Sequence, residues 1–145
     1  MRQGIQTGFK NRQMERYGCY FFTLAAWAHF AFGITFSDDD LIAHWNSAVE
    51  NDWIHNDPQD PWMKDPVAVF NGLSGQNYFR RVSHSQYPPG TKRFPVRFDV
   101  QPGFRIPHFA LGRLNDAGEV EVFYDSWAPS AVSRGMKVTS FRSFS

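Results

Sequence analysis

Hydrophobic positions near the start of the chain follow the pattern of a buried helix. Residues 17–32 are rich in Phe, Ala and Leu and contain no proline, and Gly33 follows as a residue suited to the left-handed end of a helix. The stretch is shorter than the roughly 18–20 apolar residues that a membrane span needs, and it contains His29. We therefore predict a buried helix over residues 17–32 and no membrane contact.

Capping residues predict two further helices. Ser37 is a hydroxyl N-cap followed by three aspartates, and apolar residues then recur at helical spacing to about Asn51. Asp65 and Pro66 open a third helix that ends before Gly75.

The segment between these two helices, residues 52–64, contains two prolines and three aspartates. This composition predicts irregular and exposed chain, anchored by Trp53, Ile54 and Trp62.

After Gly75 the pattern changes from helical to strand-like. Five segments are rich in Phe, Val and Tyr and are bounded by Gly, Pro and Asn, as strands are: 78–82, 94–100, 104–114, 119–125 and 137–144. Residues 115–118, Asn-Asp-Ala-Gly, form a hairpin loop between two of them. Helices first and strands second predict an α+β fold, with an antiparallel sheet packed on N-terminal helices in a single domain over residues 1–145.

Composition and charge exclude several classes of function. The chain has 145 residues, of which 42% are apolar and 17% aromatic, which is enough to bury a core. Fifteen basic and fourteen acidic residues leave a net charge of +1, without the basic patch that nucleic acid or anionic lipid requires. A single cysteine excludes an intrachain disulfide and a Cys-rich zinc site. Without an export signal near residue 1, we expect a cytoplasmic protein, and the sequence does not indicate an oligomeric state.

The lone cysteine, Cys19, follows Gly18 at the start of the first predicted helix. Free amides and the helix dipole favour an anion there, which predicts a thiol pKa below the reference of about 8.5 and hence a nucleophile. The alternative is a buried cysteine that acts as a small hydrophobic residue.

A nucleophilic cysteine needs a base, a residue that orients the base, and donors for an oxyanion. His108 and Asp125 stand about equally far from the centre of the 115–118 loop, so we predict that they face each other across the hairpin and form a hydrogen bond. Gln13 precedes Cys19 by six residues, near enough to supply an oxyanion donor beside the Cys19 amide. The alternative for His108 and Asp125 is a structural hydrogen bond between neighbouring strands.

This ordered set resembles the papain-like cysteine peptidases, and most closely the small bacterial branch related to the peptidase domains of bacteriocin-exporting ABC transporters. The resemblance lies in Gln13, the Gly18-Cys19 start of an apolar helix, the His-Phe-Ala-Leu-Gly run at 108–112, and Asp125-Ser126. It implies a papain-like fold with a curved sheet, a Cys19–His108–Asp125 triad with Gln13 in the oxyanion hole, a peptide or protein substrate, and no cofactor. The transporter peptidases carry Asp-Cys-Gly and Asp-Pro where this chain has Gly18-Cys19-Tyr20 and Asp125-Ser126, so their substrate preference does not carry over.

Two other functions remain open at this point. One is a papain-like domain that only binds a peptide or protein, with Cys19 occluded or misaligned. The other is a glutamine deamidase or acyltransferase effector that uses the same thiol chemistry.

Three other features have simpler explanations or remain open. His44 and His55, with nearby aspartates, suggest a metal site, but the aspartates at 38–40 are explained by the helix dipole, so no metal is predicted. Residues 83–93 are either a lid over the cleft or a flexible loop. Trp127 either shields the base or packs in the core.

Overall fold

The computed structural model describes residues 1–57, 60–100 and 107–145. Four helices and a two-stranded hairpin precede the strands of an antiparallel sheet. The helices are α1 (Arg12–Tyr17), α2 (Cys19–Phe32), α3 (Asp38–Glu50) and α4 (Pro66–Ser74). The strands are β1 (Ile54–Asp57), β2 (Asp60–Met63), β3 (Val82–Ser85), β4 (Arg93–Phe98), β5 (His108–Leu114), β6 (Val120–Tyr124) and β7 (Val138–Phe144).

The main sheet has five strands in the order β3-β7-β4-β5-β6, and every neighbouring pair is antiparallel. Helix α2 packs on β5, while β1 and β2 form a separate hairpin. The predicted α+β class is confirmed. None of the helices in the described ranges is long and apolar enough to cross a bilayer.

Helix α2 is buried along most of its length, as predicted, and Gly33 ends it with a φ of 70°. The prediction missed α1, which precedes it. Gly18 separates the two helices, since its N–H donates to the Met14 carbonyl and closes α1, while its own carbonyl accepts from Phe22 in α2. A Cβ at Gly18 would overlap the Met14 carbonyl oxygen, so this junction requires glycine.

The predicted caps of α3 and α4 are confirmed. Ser37 and Asp40 form a reciprocal capping box at the start of α3. The Asp65 side chain accepts from Ala68 N at the start of α4, and Gly75 ends that helix in the left-handed region.

The prediction that residues 52–64 are irregular is wrong, because β1 and β2 form a hairpin there. In a two-stranded sheet each strand has an open side, so Pro61 is compatible with β2 although it lacks an N–H. Ile54 anchors the hairpin in the core, and Trp53 is half-buried, whereas Trp62 is 51% exposed. The second proline of the segment, Pro58, lies outside the described residues.

The predicted strand at 78–82 is also wrong, since β3 begins at Val82 and runs into the segment predicted as a loop. The Asn71 side chain binds the backbone of Tyr78 and Phe79, and Phe79 packs on Trp27, so the helices hold the first part of this stretch. Arg80 and Arg81 then bind the backbone of Ser145, which follows β7. The other four strand predictions correspond to β4, β5, β6 and β7. Residues 104–106 of the second of these four predicted strands lie outside the described residues.

The β5–β6 hairpin differs from the prediction by two single-residue offsets. Leu114 pairs with Val120, so the loop is centred on Ala117 rather than between 116 and 117. The register then shifts by one more residue between Leu111, which pairs with Tyr124, and Gly112, which pairs with Val122. Each slip of one residue would turn a side chain to the other face, but two slips together restore the original face.

A substitution at Gly112 tests the packing of β5, the strand that carries His108. A Cβ there would overlap Cγ2 of Val96 and come within 3.1 Å of Cε2 of Phe94. We expect Gly112→Ala to lower the free energy of unfolding by about 1–3 kcal/mol, the usual cost of overpacking, in chemical denaturation. Gly90→Ala is the matched control, because nothing lies within 4 Å of its Cβ, and it should change stability by less than about 0.5 kcal/mol. Equal stabilities of the two variants would contradict this packing.

Candidate active site

His108 and Asp125 form a buried hydrogen-bonded pair. Nε2 of His108 lies 2.7 Å from Oδ1 of Asp125, and the two residues are 1% and 2% exposed. The predicted hydrogen bond is confirmed, but the two residues are not directly opposite. Continuing the β5–β6 register past Tyr124 sets Asp125 opposite Ala110, two positions from His108 and on the same face.

Both carboxylate oxygens of Asp125 are used. Oδ1 also accepts from the backbone N–H of Trp127 at 2.9 Å, and Oδ2 accepts from that of Ala131 at 2.8 Å. The chain after β6 therefore wraps around the carboxylate, so that this buried charge has a donor for each oxygen.

The N-terminal segment holds the backbone on the other side of Asp125. The N–H of Asp125 donates to Oε1 of Gln3 at 2.9 Å, and the Asp125 carbonyl accepts from Gly4 N at 3.0 Å. The next residue, Ser126, is tied to Gln6, which is fully buried, by a backbone bond and by a side-chain bond of 2.6 Å. No signal in the sequence identified Gln3 or Gln6 as supports of the site.

Aromatic rings enclose the imidazole of His108. Trp127 stacks on it with ring centroids 3.6 Å apart and an interplanar angle of 18°. Phe98 lies 5.9 Å from the imidazole, at 33°. Of the two roles considered for Trp127, the structure therefore shows a ring that covers the His108 imidazole.

The bond to Asp125 determines the protonation of the imidazole. A carboxylate only accepts, so Nε2 carries the hydrogen and Nδ1 of the neutral ring carries a lone pair. Nδ1 is buried and has no hydrogen-bond partner in the described ranges of the chain. Buried polar atoms without a partner are rare, and this one belongs to the candidate base.

Cys19 is the first residue of α2, as predicted, and it is 2% exposed. Its thiol lies 3.5 Å from the carbonyl oxygen of Pro107, to which it donates, rather than bonding to His108. The Phe109 amide also interacts with the sulfur. The backbone groups on either side of His108 thus face the thiol.

The prediction of a lowered thiol pKa is wrong for this structure. Burial raises the pKa of Cys19 to about 12, because the thiolate would lose its hydration. The backbone amides of Phe109, Tyr20 and Cys19 lower this pKa and the charge of Asp125 raises it, but burial is the dominant cause. The thiol is therefore protonated at neutral pH.

Gln13 lies in the first turn of α1 and is partly exposed. Its backbone N–H donates to the Asn11 side chain at 3.1 Å, but among the described residues no hydrogen bond involves its side-chain amide. Its role as an oxyanion donor stays a prediction.

A cavity of about 390 Å³ opens beside Cys19. Its described wall comes from all four helices, the β1–β2 hairpin, β3, β5 and β7, and includes Tyr20, Trp62, His84, Phe109 and Arg142. The sequence pattern predicts that His84 lies in a loop or lid at 83–93, and it does not identify Arg142. The available signal was weak: Arg142 lies between two buried phenylalanines of β7, Phe141 and Phe144.

Metal chemistry finds no support in the described residues, where no three His, Cys, Asp or Glu side chains converge as ligands. His44 and His55 instead contact the rings of Phe36 and Trp62.

Comparisons with protein-family models, curated proteins and solved structures gave no match for this chain.

Removal of the Asp125 carboxylate tests the buried pair. Asp125→Ala leaves His108 Nε2 and the Trp127 and Ala131 amides without an acceptor, so the free energy of unfolding should fall by about 3–5 kcal/mol in urea titrations. Asp116→Ala, at an exposed loop position, is the control and should change it by less than about 0.5 kcal/mol. A loss below about 1 kcal/mol at Asp125 would show that the pair is not formed in solution.

The ionisation of Cys19 is measurable from the ultraviolet absorbance of the thiolate, with Cys19→Ser as the blank. Because burial raises the pKa, the thiolate fraction stays small at neutral pH and grows only as the pH approaches about 12. We expect no step in absorbance below about pH 9 in the folded protein, and a step near pH 8.5 in denaturant. A step below pH 8.5 in the folded protein would contradict the buried thiol.

Proposed function

We propose that this protein is a cysteine hydrolase, most simply a peptidase, with Cys19 as nucleophile, His108 as base and Asp125 as the residue that orients the base. The observation that carries the proposal is the buried Nδ1 of His108, which has no partner among the described residues. The backbone groups of the residues before and after His108, Pro107 and Phe109, contact the Cys19 thiol. Because Nε2 donates to Asp125, the free lone pair is on Nδ1, which can accept the proton of a thiol.

The raised thiol pKa determines how the nucleophile forms. A preformed thiolate–imidazolium pair does not fit a thiol that is protonated at neutral pH. Instead, His108 Nδ1 removes the thiol proton as the sulfur attacks the substrate carbonyl, and Asp125 stabilises the resulting imidazolium through Nε2–H.

The rest of the cycle follows from acyl transfer. The imidazolium returns its proton to the leaving amine as the C–N bond breaks, which leaves a thioester on Cys19. Water then attacks this thioester, and His108 takes a proton from the water and passes it to the Cys19 sulfur as the C–S bond breaks. The carboxylic acid is released and the Cys19 thiol is regenerated. The Cys19 amide, at a helix N-terminus where it needs no helical acceptor, and the Gln13 side chain are the proposed oxyanion donors.

The papain-like fold and a cytoplasmic location belong to the same proposal. The helix that carries Cys19 packs on the strand that carries His108, which is the arrangement that the resemblance implies. A reducing compartment would keep the only thiol available.

A binding module is the second candidate, and one observation favours it. Cys19 is buried and donates to Pro107 instead of His108, which is the occluded arrangement expected of a domain that binds without reacting. A deamidase or acyltransferase differs from the peptidase only in the leaving group or the final acceptor, so it shares the first half of the mechanism.

An acyl probe with an electrophilic carbonyl separates the two candidates. The probe should form a thioester on Cys19 of the full-length wild-type chain, and mass spectrometry detects this label. Cys19→Ala should abolish labelling, and His108→Ala should slow it by about 10²-fold or more, since general-base catalysis contributes about 10²–10⁴-fold. Titration of the thiol in denaturant confirms that Cys19 is intact. If the folded wild-type protein is then not labelled, the hydrolase is rejected and the binding module is the remaining candidate.

Substitution of Gln13 tests the oxyanion donor in the same assay. Its side chain should act only during the reaction, so Gln13→Ala should leave the Tm nearly unchanged and slow thioester formation by about 10²–10³-fold. Gln76→Ala, at another exposed glutamine after α4, is the matched control and should retain the wild-type rate. Equal rates for the two variants would remove Gln13 from the mechanism.

A further inference from the structure

Arg142 is a buried cation in the wall of the cavity that opens at Cys19. It is 7% exposed, and among the described residues no carboxylate pairs with it. Its guanidinium lies 5.2 Å from the ring centroid of Phe109, which stacks on Tyr20 at 4.0 Å. Burial of a guanidinium without an anion is unfavourable, so its presence needs a reason.

The guanidinium is anchored by one nitrogen. Nη1 donates to Oγ of Ser140 at 3.0 Å and to the carbonyl of Phe141 at 3.2 Å. In the described part of the chain, Nε and Nη2 have no acceptor. These two nitrogens form the fork that binds a carboxylate with two parallel hydrogen bonds.

A second unpartnered donor lies in the same wall. Tyr20 is 8% exposed, and its buried hydroxyl has no hydrogen-bond partner among the described residues. Tyr20 and Arg142 both contact the ring of Phe109 and line the same cavity, so they belong to one part of its wall. Burial raises the pKa of the hydroxyl, and the charge of Arg142 lowers it. The hydroxyl thus remains a neutral donor near the guanidinium.

The charges around the cavity are positive. His84, in the same wall, has a pKa lowered first by burial and then by the charges of Arg142 and Arg97. The described wall also holds Lys64, which pairs with Asp52, and it contains no Asp or Glu. An anion at Arg142 would therefore meet a buried cation and no carboxylate within the described wall itself.

We propose that Arg142 and Tyr20 form a subsite that binds a carboxylate of the substrate, next to the acyl group that reacts with Cys19. The carboxylate takes two hydrogen bonds from Nε and Nη2 of Arg142 and one from the Tyr20 hydroxyl. This subsite rests on the proposed function, because it specifies that the peptide substrate of the hydrolase is acidic. Either an Asp or Glu side chain or the C-terminal carboxylate of the peptide supplies the group.

Binding to the Cys19→Ala protein tests the subsite without any reaction. Four short glycine-based acetylated peptides are titrated by NMR: one with a central Glu and a C-terminal amide, the same peptide with Gln, and an all-glycine pair ending in an acid or an amide. We expect one acidic peptide to bind about tenfold or more tightly than its neutral partner, as a charge-assisted pair of hydrogen bonds gives. Which pair shows the preference identifies the source of the carboxylate.

Variants of the subsite complete the test. Arg142→Gln should reduce the preference to about twofold or less, and Tyr20→Phe, which removes only the hydroxyl, should weaken it several-fold. Arg80→Gln removes an exposed cation elsewhere and should keep the preference. If Arg142→Gln does not fold, Arg142→Lys retains the charge without the fork and should lose most of it.

Equal binding of acidic and neutral peptides, no binding of either acidic peptide up to about 10 mM, or a preference that survives both subsite substitutions would overturn the subsite. The failure of the hydrolase proposal looks different. In that case the acid preference is present but the acyl probe does not label Cys19, whereas labelling without any acid preference retains the hydrolase and rejects the subsite.

Discussion

The buried carboxylate of Asp125 is the constraint on which the candidate site depends. A charge with 2% exposure costs several kcal/mol unless donors replace its water, and here three donors do so: His108 Nε2, Trp127 N and Ala131 N. These donors come from β5 and from the chain that follows β6, while Gln3 and Gly4 hold the Asp125 backbone from the N-terminus. Asp125 therefore brings together segments more than a hundred residues apart through its backbone, and its carboxylate fixes the tautomer of His108.

Burial and the helix dipole act on Cys19 in opposite directions, and their magnitudes decide the outcome. A helix N-terminus stabilises an anion by about 0.3–1 kcal/mol, whereas loss of hydration of a fully buried charge costs several kcal/mol. The sequence shows that Cys19 begins a helix, but it does not show that Tyr20, Phe109 and Pro107 close around the sulfur. The thiol at the start of α2 is for this reason protonated rather than activated in the resting structure.

Local signals in the sequence predicted the parts of the fold that they control. Capping by Ser37 and Asp65 and the left-handed glycines fixed α3, α4 and the end of α2. The β1–β2 hairpin and the position of β3 depend on contacts with distant residues, such as Asn71 with Tyr78, and no local pattern encodes them. The His108–Asp125 pair was predicted correctly by an inexact route, because the loop offset and the bulge in β6 compensate each other. Arg142 was missed because a single cation in an apolar strand has no local signature.

The same closed geometry bears on both candidate functions. Cys19 Sγ carries the thiol proton and donates it to the Pro107 carbonyl, while the free lone pair belongs to the imidazole of the next residue. Transfer of this proton therefore requires the thiol to exchange the Pro107 carbonyl for Nδ1 of His108 as its acceptor. A ligand in the cavity beside Cys19 that displaced the thiol from Pro107 would free it for this exchange, and Nδ1 has no other partner among the described residues. On this argument, the occluded cysteine is what a hydrolase that is activated by its substrate would show before the substrate binds.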